Sequence, residues 1–97
     1  MNYSIKTEKT LLLFSISKDN SHPDLYKGWF MYSSDCGQYL STNINGRNET
    51  SVMERMFYQA IREIKKCYGK EIEELASTCL KKFYDSKQQK LNLEYKK

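Results

Sequence analysis

Residues Asn43 to Phe57 read NINGRNETSVMERMF, and within this stretch the apolar pattern changes period. Before it, apolar and polar residues alternate; after it, Met53, Met56, Phe57, Ala60, Ile61, Ile64, Cys67 and Tyr68 recur at intervals of three and four. The first pattern is that of a strand and the second that of one helix face. Asn45-Gly46 is a turn pair that ends the strand. Ser51 and Glu54 have the S-x-x-E spacing of a capping box, in which the hydroxyl accepts from the Glu54 amide and the carboxylate reaches back to the Ser51 amide. The expectation is a helix over 51–69, closed by Gly69.

Upstream, Lys9 to Ser17 (KTLLLFSIS) places Leu11 and Leu13 on one face of an extended segment and Leu12, Phe14 and Ile16 on the other. A strand covered at least in part on both sides fits that distribution. Lys18 to Asp24 (KDNSHPD) is a loop by composition, and Pro23 keeps it out of a helix. Leu25 to Ser34 (LYKGWFMYSS) is rich in residues that suit a pleated surface, with Trp29 and Met31 on one face and Phe30 and Tyr32 on the other. Asp35-Cys36-Gly37 supplies a tight turn, and QYLSTNI alternates through a third strand. Downstream, Ile72, Leu75, Ala76, Cys79, Leu80 and Phe83 form a second helical stripe, with Glu71, Glu73 and Glu74 at its start and lysines toward its end, the charge order that suits the helix dipole.

Strand, strand, strand, helix, helix is an α+β order. The expected architecture is one domain of 97 residues: a three-stranded antiparallel meander over 9–46, packed by one amphipathic helix (51–69), followed by a second helix (70–90) and a basic tail (91–97).

The order resembles a known half-fold. A strand, then Lys27 to Leu40 (KGWFMYSSDCGQYL), then Glu49 to Ile61 (ETSVMERMFYQAI) resembles the opening β-β-β-α half of the ribonuclease H fold, and the shortened form of it used by HicB-type antitoxins. The similarity spans Leu11 to Tyr68. In that family catalysis needs several carboxylates around two divalent metals, one of them in the first strand. The matching stretch here, Phe14-Ser15-Ile16-Ser17, carries no acid, and Glu54 alone on the helix does not assemble such a site. Glu54 is expected to cap the helix.

Other chemistries find no constellation either. Cys36, Cys67 and Cys79 form no C-x-x-C pair, and His22 is the single histidine, so no clustered metal-ligand spacing exists. There is no phosphate-binding glycine loop. The expectation is therefore no enzyme, with no catalytic, metal or cofactor residues. No run of apolar residues is long enough to cross a bilayer, and Met1 to Lys6 lacks the order of a secretory signal. An intracellular, cytoplasmic chain is expected.

The net charge of +4 is concentrated. Up to Cys79 ten basic residues offset ten acids, whereas Lys81, Lys82, Lys87, Lys90, Lys96 and Lys97 face only Asp85 and Glu94. Two classes of partner follow. A protein partner would be met by exposed aromatics of the hairpin, Tyr26, Trp29, Tyr32 and Tyr39, or by Lys81, Lys82 and Lys87 of the second helix, since aromatic anchors dominate interfaces. Nucleic acid would stack on the same aromatics, with phosphates held by the C-terminal lysines. A homodimer could form through the open edge of a three-stranded sheet. The small size and the Asn, Lys and Tyr content look like those of a phage or mobile-element protein, for instance an anti-CRISPR-like inhibitor of a host defence system or an antitoxin.

Overall fold

The computed structural model describes the backbone of residues 1–22, 24–68 and 71–95, and side chains in those ranges outside 67–68 and 89–95. The readings made of Pro23, Gly69, Lys70, Lys96 and Lys97, and of the side chains of Cys67, Tyr68 and Lys90, lie outside these residues.

The architecture is α+β, with five strands rather than three: β1 (Asn2–Lys6), β2 (Thr10–Lys18), β3 (Tyr26–Ser34), β4 (Gly37–Leu40) and β5 (Ile44–Gly46), then α1 (Glu49–Tyr68) and α2 (Glu71–Tyr95). The sheet is antiparallel in the order β1-β2-β3-β4, and β5 pairs with β3 beyond the end of β4. The additional strand at the N-terminus alternates in short form: Tyr3 and Ile5 lie opposite Phe14 and Leu12 and pack against the core. The third expected strand is two. Its midpoint is broken at Ser41, whose amide donates to the Phe30 carbonyl at 2.9 Å and whose hydroxyl accepts from the Phe30 amide at 2.8 Å. One side chain thereby stands in for a missing rung of the ladder. Gly37, which follows the two-residue turn after β3, takes a φ of 142°, a conformation that glycine adopts without strain.

Both helices lie on one face of the sheet. Leu12, Phe14 and Ile16 of β2 and Phe30 and Tyr32 of β3 point to that face and are buried. Val52, Met53, Met56, Ala60 and Ile64 of α1 and Ile72, Leu75, Ala76, Cys79 and Phe83 of α2 meet them in a single core. α1 lies over β3 and β5, while α2 lies along β1 and against α1. The α1 end of the sheet is shaped by glycine: a β-carbon on Gly28 would stand 2.7 Å from Val52 Cγ1, and one on Gly46 would stand 2.9 Å from Val52 Cγ2.

The helix begins at Glu49, earlier than the S-x-x-E spacing implied. Asn48 is the cap: its Oδ1 accepts from the Ser51 amide at 2.8 Å, and its carbonyl accepts from the Val52 amide. Ser51 is thus already inside the first turn, and Glu54 takes another partner. Its carboxylate accepts from the Tyr84 hydroxyl of α2 at 2.7 Å. Two ion pairs hold the helices in the same antiparallel register, Lys65 with Glu73 near the connection and Lys87 with Glu49 at the far end. α2 also runs through 91–95, where the sequence pattern predicts a basic tail.

Candidate functional site

The strand alternation that builds the core also builds a second surface. On β2 and β3 the residues between the buried ones, Leu11, Leu13, Trp29 and Met31, face away from the helices and are half-buried. Leu40 of β4 lies beside Met31 and is 68 % exposed. Cross-strand neighbours make rows on this open face: Lys6–Leu11–Ser33–Gln38, then Ser4–Leu13–Met31–Leu40, then Asn2–Ser15–Trp29, then Ser17–Lys27–Asn45. No described element lies over them. A one-sided antiparallel sheet ordinarily presents polar residues to water, whereas here five apolar side chains are contiguous. Apolar patches of this kind mark interaction surfaces. The only charges among the strand residues of this face are Lys6 and Lys27.

The aromatic residues singled out in the sequence do not share a surface. Trp29 is on the open face. Tyr32, three positions on, has the opposite parity and is buried, 2 % exposed, beneath the helices. Tyr39 pairs with Tyr32 across the ladder and so turns the same way, its ring stacked on Phe30 with centroids 5.7 Å apart. Tyr26 is half-buried against the same core. The expectation of one aromatic face therefore gives way to a single tryptophan set among aliphatic residues, because strand geometry places residues an odd number apart on opposite sides.

The lysines of α2 also separate. Lys82 donates to the Ser4 carbonyl of β1 at 2.8 Å. Lys87 stands 2.8 Å from Glu49 Oε2, an ion pair without the alignment of a hydrogen bond, and lies over the Phe83 ring at 5.6 Å. Lys81 is exposed and makes no hydrogen bond or ion pair among the described residues. Two of the three side chains thus serve the fold.

Reactive groups are scattered. Among the described residues no group of three or more His, Cys, Asp or Glu comes together. His22 is exposed in the loop before β3, and Cys36 is exposed in the β3–β4 turn. Cys79 is fully buried, and burial pushes its thiol up to about 11, against a smaller opposing pull from Lys82. A thiol so held is a poor nucleophile. Tyr84 is raised as well, chiefly by its hydrogen bond to Glu54.

No helix of the described chain is long and apolar enough to span a membrane. Compared with protein-family models, with curated proteins and with solved structures, the chain matches none.

Proposed function

We propose that this chain is a non-enzymatic binding protein that engages a protein partner, and blocks it by covering it, through the open face of its sheet. The observation that carries this reading is the run Leu11, Leu13, Trp29, Met31 and Leu40 on the side that no helix covers. Burying such a patch is favourable by roughly 25 cal/mol for each Å² of apolar surface removed from water. Trp29, next to Met31 at one end of the patch, is the residue type most enriched among interface anchors. On this reading the chain acts like a small inhibitor or antitoxin, by occupying a surface rather than by chemistry.

The test is capture from a host lysate on immobilised wild-type chain and on the Met31→Glu variant. A protein retained in stoichiometric amount by the first and lost by the second is the expected result. Retention of nothing, or equal retention by both, overturns the proposal.

Lys27 two residues from Trp29 favours a second reading, in which single-stranded nucleic acid stacks on the tryptophan and meets the lysine. That reading requires a mobility shift that weakens steeply with salt.

A further inference from the structure

We infer that, while no partner is bound, the open face is covered by a second copy of this chain, packed sheet against sheet about a two-fold axis parallel to the strands and running between β2 and β3. The inference rests on the reading of this face as the working surface and names what covers it before a partner does.

Such an axis places β2 of one copy over β3 of the other and β1 over β4, so each cross-strand row meets its own reverse. Leu13 then lies on Met31 of the second copy at the centre. Ser15 faces Trp29, Leu11 faces Ser33, and Ser4 faces Leu40. In these flanking positions a large side chain meets a small one, the interdigitation that sheets packed about 10 Å apart require. The charges match as well. Lys6 meets Gln38, and Lys27 meets Ser17, so no lysine opposes another and each ammonium has an uncharged acceptor. The rows are those of the observed register.

The area is small. β2 and β3 have nine residues each and β1, β4 and β5 only five, four and three, so at about 3.3 Å per residue and 4.8 Å between strands the face covers roughly 480 Å². Both copies together bury on the order of 950 Å², in the range of weak and transient interfaces. A weak, concentration-dependent dimer follows.

The alternative route to a dimer, strand addition at an edge, is obstructed. Lys82 occupies the Ser4 carbonyl on the outer strand β1, and on the other side the break at Ser41 divides β4 from β5. Lysines and interruptions of this kind are how sheet edges resist pairing.

The experiment is sedimentation equilibrium over a concentration series, read beside the emission of Trp29, the single tryptophan of the chain. Wild type is expected to move from 11.5 kDa toward twice that mass, with the emission shifting to the blue over the same range. Leu13→Glu and Met31→Glu are expected to stay monomeric with unchanged circular dichroism, and Leu13→Ser provides the milder variant should a glutamate unfold the sheet. Tyr58→Ser, on the exposed outer side of α1, is expected to dimerise as wild type does. A wild-type chain that stays monomeric throughout, or a dimer that survives Met31→Glu or leaves Trp29 unshifted, overturns the inference. A monomer that still captures another protein through Met31 would refute the second copy and leave the binding face standing.

Discussion

Val52 of α1 presses its Cγ1 methyl against Gly28 of β3, so closely that a β-carbon on the glycine would lie 2.7 Å away. Met56 Sδ would be 2.8 Å from the same atom. The helix is seated on bare backbone here, and Gly28→Ala must displace both side chains. Overpacking of this kind costs about 1–3 kcal/mol, and urea titration of the variant should show the midpoint falling with little change in slope.

Ser41→Ala should be destabilising out of proportion to the single oxygen removed. The Phe30 amide is buried and its hydrogen bond goes to Ser41 Oγ, so the variant leaves a donor without a partner at a cost of roughly 1–3 kcal/mol. Ser41→Thr, which keeps the hydroxyl, should recover part of the loss in the same denaturation assay.

The start of α1 discriminates between two capping schemes. Asn48→Ala removes the observed cap and should cost about 1 kcal/mol. Ser51→Ala removes a hydroxyl that the observed cap does not use and should cost less. The reverse order, in thermal melts of the two variants, would restore the S-x-x-E arrangement.

Much of the fold was legible for physical reasons. The helical stripes of α1 and α2 persist over enough residues for the period to stand out, and the apolar and aromatic runs of β2 and β3 are bounded by turn residues, whereas the break at Ser41 that divides the third expected strand leaves no mark in the pattern. β1 was not legible, because an edge strand of five residues offers only Tyr3 and Ile5 as its apolar pair. Asn48 and Ser51 both carry capping chemistry, and the sequence pattern does not choose between them; in the structure Asn48 is the cap, and Val52, already in the helix, packs on Gly28 and Gly46. The open face was half visible. Parity grouped Leu11 with Leu13 and Trp29 with Met31, but β2 is apolar on both sides, and local pattern does not say which side a helix covers. Gly28 was the available signal, since a glycine amid bulky strand residues marks where another element approaches.

Alkaline solution should weaken the fold. The Cys79 thiol has an ordinary value of 9.0 and is held up to about 11 in the native chain by burial. Between these values the unfolded chain releases a proton that the native chain retains, so the stabilisation present below 9.0 is lost as the pH rises through about 11. Tyr84, raised by its bond to Glu54, acts in the same direction. Urea midpoints should fall from about pH 8 upward, less steeply in Cys79→Ala.

Thiol labelling should separate the cysteines. Cys36 in its exposed turn should react with iodoacetamide in the native chain, and Cys79 only on denaturation. Peptide mapping that finds Cys79 modified first would show that the helix layer opens more readily than its burial implies.

The ammonium of Lys82, seated 2.8 Å from the Ser4 oxygen, has a consequence for crowded conditions. Fibrils grow when an incoming chain can dock along an unguarded rail of backbone, one molecule after another without limit. Here the rail is guarded while the flat remains sticky, so self-assembly has somewhere to begin and nowhere to continue. Concentrated solutions should hold finite particles and leave thioflavin dark.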